Sequence, residues 1–274
     1  MLEKWYACAK HREQSMVNES SQNESSLKEN EQNKSTLAVS DVTVEYSGGK
    51  LAVNNVSFNL NSGENTALIG ANGAGKTSLM LALVGVLPVK TGEIRIVDSV
   101  VDSVKGVTVL SKQTLRDVRA RVGLVFQNPD DQLFMPSIFE DIAFGPRSFG
   151  CSEDETNVRV NEVLDQLGIS HLRDSSPLKL SGGEKRLCAI AAVLATKPEV
   201  LLFDEPTAFL DPRARRNLAA LFENLPQGKL IATHDLAFAE ATCTRVLLLQ
   251  EGRLIADGGQ ELFTDTQTLE AAGL

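Results

Sequence analysis

The sequence predicts an α/β fold in which a mostly parallel sheet is covered on both faces and carries a helical insertion. Three observations carry this expectation. The runs at residues 66–69, 200–203 and 230–233 are short, apolar and flanked by helical stretches, as buried parallel strands are. The first of them runs into a glycine-rich turn and then a helical stretch at 76–87. From Gln127 to Thr196, helical periodicity replaces strand patterning. There Ser152 and Glu155 form a capping box, and Val160, Val163, Leu164 and Leu167 keep one helical face until Gly168.

In chain order, residues 1–36 read as a disordered polar tail. Asn, Ser, Gln, Glu and Lys dominate from Arg12 to Thr36, and such a segment cannot offset its ordering entropy. The first ten residues, which hold the only Trp, read as a loose terminus or a short amphipathic piece. A domain follows over residues 37–274. Residues 39–46 are rich in β-branched side chains and break at Gly48-Gly49, and 51–60 form a second strand ending at Asn61-Ser62-Gly63. The strand at 66–69 leads to the helix at 76–87, stopped by Pro88. Residues 94–97 and 122–126 are further strands. A helical subdomain over about 128–196 precedes the strands at 200–203 and 230–233.

With 274 residues the chain has room for one large domain or two modest ones. Its 36 acidic against 27 basic residues argue against non-specific nucleic-acid binding. The four cysteines, Cys8, Cys151, Cys188 and Cys243, are scattered and form no metal-binding pair, which fits a reducing compartment. No window offers the roughly 18 apolar residues of a membrane span, and the start lacks a signal-peptide core, so the expected location is cytoplasmic.

Gly70-Ala71-Asn72-Gly73-Ala74-Gly75-Lys76-Thr77-Ser78 fits G-x-x-x-x-G-K-[ST] between a strand and a helix. The glycines let successive N–H groups curl around phosphate oxygens. The helix directs its positive end at them, and Lys76 reaches the β- and γ-phosphates. The Thr77 hydroxyl suits Mg²⁺ better than that of Ser78. Asp204 and Glu205 end the strand 200–203, where open α/β sheets bind ligands. An Asp there can hold Mg²⁺ through water, and the Glu can polarise an attacking water. His234 ends another strand and could orient that water, and Gln127 ends the strand before it and could contact Mg²⁺ or water. Ser181-Gly182-Gly183 opens a helix with exposed N–H groups, a second anion cradle that makes sense if it covers a nucleotide held by another subunit.

Together these residues resemble the nucleotide-binding subunit of an ABC transporter over about residues 37–274. By position, Tyr46 is similar to the aromatic that stacks on adenine. Gly70, Asn72, Gly73, Ala74, Gly75, Lys76 and Thr77, with Ser78, resemble the Walker A loop, and Gln127 the Q-loop. Leu180 to Arg186, with Ser181 and Gly183, resembles the signature motif. Asp204 and Glu205 resemble Walker B and the catalytic glutamate, Asp211 the D-loop and His234 the switch histidine. The resemblance implies a P-loop NTPase of ABC type with helical and antiparallel β subdomains. It also implies ATP as substrate and Mg²⁺ at Thr77, Gln127 and Asp204, partly through water. Glu205, His234, Gln127 and Lys76 are then the catalytic set. Phe209 stands where the family usually has Gly, and Leu187 replaces a common basic residue.

Within the family, Phe126-Gln127-Asn128-Pro129-Asp130-Asp131-Gln132-Leu133-Phe134 and then Glu140-Asp141-Ile142-Ala143-Phe144-Gly145-Pro146 resemble ATPases of energy-coupling-factor importers. The link Glu223-Asn224-Leu225-Pro226 and the ending Leu269-Glu270-Ala271-Ala272-Gly273-Leu274 are similar to the cobalt/nickel branch. The implied partners are a second ATPase subunit, a transmembrane coupling protein and a substrate-capture membrane protein, with this chain peripheral on the cytoplasmic face. The coupling protein is expected near Gln132, Leu133, Phe134 and Phe139, rimmed by Asp130-Asp131. The alternative for Leu133 and Phe134 is a place in the core. Import of a vitamin or other small solute is the alternative function within the family, and a soluble P-loop kinase the alternative outside it.

Overall fold

A computed structural model describes residues 35–96, 112–208 and 210–274. Cys8, Val97, Phe209 and the tail up to Lys34 lie outside the described residues. Strands β1 (Ser35–Glu45), β2 (Leu51–Asn61) and β4 (Thr91–Ile96) form an antiparallel sheet in the order β2-β1-β4. Ser35 and Thr36, given to the polar tail by composition, belong to β1, and the Thr36 hydroxyl donates to Leu60 O. The second sheet contains β3 (Asn65–Ile69), β5 (Val122–Val125), β6 (Val200–Asp204), β7 (Gly228–Ala232), β8 (Arg245–Gln250) and β9 (Arg253–Gly258). Its order is β5-β6-β7-β3-β8-β9, parallel except for the edge strand β9.

The uninterrupted apolar strands divide their residues between two cores. Leu68, Leu202, Leu230 and Leu247 face a core shared with the antiparallel sheet. Ala67, Ile69, Leu201, Phe203, Ile231 and Leu248 face the other, shared with the helical insertion. Period 2 is therefore present in burial direction but invisible in polarity, because neither face meets water. The insertion comprises α3 (Ile138–Ser148), α4 (Glu153–Gln166) and α5 (Gly182–Leu194). Ser137, Ser152 and Ser181 cap these three helices through their side chains. Among the described residues no helix is long and apolar enough to cross a membrane.

The helix expected at 76–87 ends sooner. Helix α1 is Lys76–Leu83, because Gly85 turns left-handed at φ 65° and the Val86 amide returns to Leu81 O at 2.8 Å. Gly85 thus stops the helix before Pro88 is reached. Helix α2 (Lys112–Arg121), β8 and β9 were not anticipated. Helices α6 (Pro212–Asn224), α7 (Leu236–Thr242) and α8 (Thr266–Ala271) complete the chain.

Lys229, the second residue of β7, is fully buried, and its ammonium donates to Leu225 O at 2.6 Å and Gln227 O at 2.7 Å. Burial pushes its pKa down to about 8. The unfolded chain, with lysine near about 10.4, then binds more protons between these values, so this residue makes stability rise with pH across that window. Lys229→Met removes the titration. Urea unfolding of wild type and variant from pH 7.5 to 10 should show the wild type gaining relative to the variant as pH rises. A difference independent of pH would show that Lys229 titrates normally in the folded chain.

Candidate functional site

Strand β3 delivers the chain into residues 70–75 under tight steric control. A Cβ on Gly70 would lie 2.2 Å from Leu249 O, and one on Gly75 (φ 109°) would lie 2.3 Å from Ala52 O. Only glycine lets the loop pass this close to its neighbours. Gly75 also starts α1 without a side-chain cap, leaving the first N–H groups of that helix open. Lys76 is buried and donates from Nζ to Gly70 O at 2.6 Å and Ala71 O at 3.2 Å. Burial lowers its pKa, while the Glu205 and Asp204 carboxylates oppose that shift. The Thr77 hydroxyl donates to Asp204 Oδ2 at 2.8 Å. Burial raises the Asp204 pKa against the pull of that bond. Ala74 is buried beneath the loop, its carbonyl accepting the Gly252 amide at 2.8 Å.

Glu205 follows β6 in a left-handed conformation, φ 46°, pinned by its amide donating to Ala232 O at 2.8 Å. A bulky residue there is held only by its surroundings, and such strain gathers at functional sites. Its side chain is buried, and Oε2 lies 2.9 Å from His234 Nδ1 and accepts the His234 amide at 3.3 Å. The Tyr46 and Ser78 hydroxyls meet at 2.8 Å, which fixes the Tyr46 ring over the same space. A cleft of about 670 Å³ unites these groups: Tyr46, Asn72, Gly73, Gly75, Lys76, Thr77, Ser78, Gln127, Asp204, Glu205 and His234 all line it. Glu251 and Gly252, from the β8–β9 turn, line it too and were missed, since a hairpin glycine carries no chemical signature.

Ser181, Gly183 and Asp211 are not in that cleft. They line a second one of about 510 Å³. Asp211 is also the N-cap of α6, accepting the Arg213 and Ala214 amides at 2.8 Å each.

Residues 53–208 match the family described as ABC transporter. The chain belongs to that family. It is 43% identical over 239 residues to a putative ABC transporter ATP-binding protein of Geobacter sulfurreducens, covering 87% of this chain and 92% of the relative. It is 40% identical over 242 residues to the energy-coupling factor transporter ATP-binding protein of Methanothermobacter thermautotrophicus, covering 87% and 76%. Among solved structures, cbiO1 of Clostridium perfringens, part of the ABC transporter complex cbiONQ, is similar. It has TM-score 0.75 and 34% identity over 87% of this chain and 94% of that one. As an ABC-transporter ATP-binding subunit the chain is an ATPase with an ABC-type P-loop fold.

In this ABC subunit the expected docking residues separate. Leu133, 6% exposed, belongs to the core beside Ile142 and Ile190, so it is not a surface anchor: its place behind the loop left it no route outward. Gln132 is half-buried, its side-chain amide donating to Ala189 O at 2.8 Å and its carbonyl accepting the Phe126 amide at 3.3 Å. Phe139 lies under the Arg173 guanidinium, 4.1 Å from its centroid. Phe134 alone stands out, 63% exposed and edge-on to the exposed Phe144 at 5.4 Å.

Arg186, the last residue of the stretch 180–186, joins the two clefts. It is fully buried on α5 and donates to Phe126 O at 2.6 Å and Gln127 O at 2.5 Å. Burial pushes its pKa down to about 10. Replacing it by Met strands both carbonyls, so Arg186→Met should cost about 2–4 kcal/mol. Arg186→Lys, with one donor centre in place of a planar fork, should fall between. Urea unfolding checks this; a loss under about 0.5 kcal/mol would show that the two carbonyls find other donors.

Proposed function

We propose that this chain energises import of a transition-metal ion, cobalt or nickel, as the ATPase of a membrane-embedded energy-coupling-factor complex. The observation carrying the catalytic part is the Glu205–His234 pair beside Lys76 and the Thr77–Asp204 hydrogen bond in one cleft. The energy-coupling-factor type is supported by the stretches at 126–134 and 140–146, and the metal-ion branch by those at 223–226 and 269–274 and by the likeness to cbiO1 of the cbiONQ complex.

In this reading Tyr46 stacks on adenine and the open N–H groups at the start of α1 cradle the phosphates. Lys76 gives up its bonds to Gly70 and Ala71 for β- and γ-phosphate oxygens. The hydroxyl and carboxylate of Thr77 and Asp204, with Gln127, are hard oxygen donors that suit Mg²⁺. Mg²⁺, when bound, would neutralise charge on the phosphates. Glu205 takes the proton of the attacking water, and His234 holds that carboxylate in place and faces the γ-phosphate. Ser181, Gly183 and Asp211 of a second copy close over the nucleotide from the other side. The transmembrane coupling protein meets Phe134 and Phe144, beside Gln132 and Phe139, and so brings this chain to the cytoplasmic face of the membrane. A substrate-capture membrane protein completes the complex, and no nucleic acid is involved.

Glu205→Gln keeps the shape of the side chain and removes the base. ATP binding should persist and turnover should fall about 100-fold or more. A steady-state ATPase assay measures it, and turnover within about twofold of wild type would remove Glu205 from the role. Reconstituted complexes carrying either form, tested for uptake of labelled cobalt, nickel or a vitamin, decide the cargo.

Phe134→Ala separates docking from folding. Melting and isolated ATPase should stay near wild type, while co-purification with the coupling protein and uptake should drop, because exposed aromatics dominate interface energy. A melting temperature lowered by several degrees with assembly unaffected would return Phe134 to a structural role.

A further inference from the structure

The second cleft is answered from within. Glu184 Oε2 accepts both the Ser181 amide at 2.8 Å and the Ser181 hydroxyl at 2.6 Å, while the Glu184 amide donates back to Ser181 Oγ at 3.4 Å. A serine has one hydroxyl proton, so a proton given to Glu184 is withheld from any phosphate. The Ser181 hydroxyl and amide hold the Glu184 carboxyl below the usual carboxylate range, leaving it ionised at neutral pH. The helix end that would receive an anion already faces one.

We propose that Glu184 is a positioning residue that keeps the Ser181 hydroxyl in reserve and thereby sets the ATP concentration at which two copies close. The proposal rests on the reading that Ser181 and Gly183 cover a nucleotide held by a second copy. Closure turns the hydroxyl from the carboxylate to the γ-phosphate and brings two negative groups near each other. A carboxylate accepts a hydrogen bond about twice as strongly as a neutral group does. Glu184→Gln keeps the reciprocal cap with a weaker, uncharged acceptor and releases the hydroxyl more readily.

The test adds Glu184→Gln to the Glu205→Gln chain and follows dimer mass by light scattering across an ATP titration, with nucleotide-free melting beside it. Half-saturating ATP should fall about three- to tenfold. Nucleotide-free melting should hold or drop by about 1–2 °C, because the helix loses a charge at its positive end. A variant no more stable alone that assembles at lower ATP is the reverse of what a lost structural cap gives. Half-saturation that is unchanged or higher overturns the proposal while leaving the two-copy reading intact. If the Glu205→Gln parent shows no ATP-dependent dimer at any chain concentration, the two-copy reading itself is wrong and the role of Glu184 falls with it.

Discussion

Parallel pairing along β5, β6, β7 and β3 is the constraint on which the site depends. Ala232 stands level with Leu68 on one side and Asp204 on the other, and Val125 stands level with Phe203. Four strands thus end in one line, and the segments leaving them carry Gly70 to Thr77, Gln127, Glu205 and His234. A slip of one residue would turn every side chain to the opposite face and exchange the two cores. The apolar faces therefore hold the geometry of the cleft in register: Leu202 and Leu230 cannot trade places with Phe203 and Ile231 without emptying one core and overfilling the other.

That register allows charges to be buried close together. Lys76, Asp204 and Glu205 are all nearly covered, and each would be costly alone. Each is answered locally: Lys76 by two loop carbonyls, Asp204 by the Thr77 hydroxyl, and Glu205 by His234. In the proposed reading, phosphate oxygens would replace the two loop carbonyls at Lys76, acceptor for acceptor, so little reorganisation would be needed there. The antiparallel sheet contributes by close approach, with Ala52 O against Gly75 and Gly252 bonded to Ala74 O.

Where residue chemistry is local, it was legible in the sequence. The strand runs, the glycine loop, the Ser caps and the strand-end carboxylates all announce themselves within ten residues, and the structure places the cleft residues around one space. What failed depends on distant neighbours. Lys229 stands just before the expected strand at 230–233, with no local sign that it is buried, and the carbonyls of Leu225 and Gln227 make its burial tolerable. Leu133 and Phe134 are adjacent and equally apolar, yet one lies inside and the other outside, a choice set by how the loop meets α3 and α5. Arg186 looks like one more basic residue of a helix until its fork is seen on the backbone of residues 126 and 127.

The two clefts differ in how their helix ends are satisfied, and that difference implies an order of events. The start of α1 has no side-chain cap, so its N–H groups are free for phosphate. The start of α5 is closed by a reciprocal cap, and that of α6 by Asp211. At the helix end of α1 no capping side chain stands in the way of an anion, whereas at α5 an internal cap must first break. On the proposed two-copy reading, nucleotide should accordingly settle in one copy before a second copy closes on it. Arg186 then acquires a role beyond packing: it ties the helix that bears Ser181 to the backbone of Gln127, so the two clefts share one hydrogen-bonded connection.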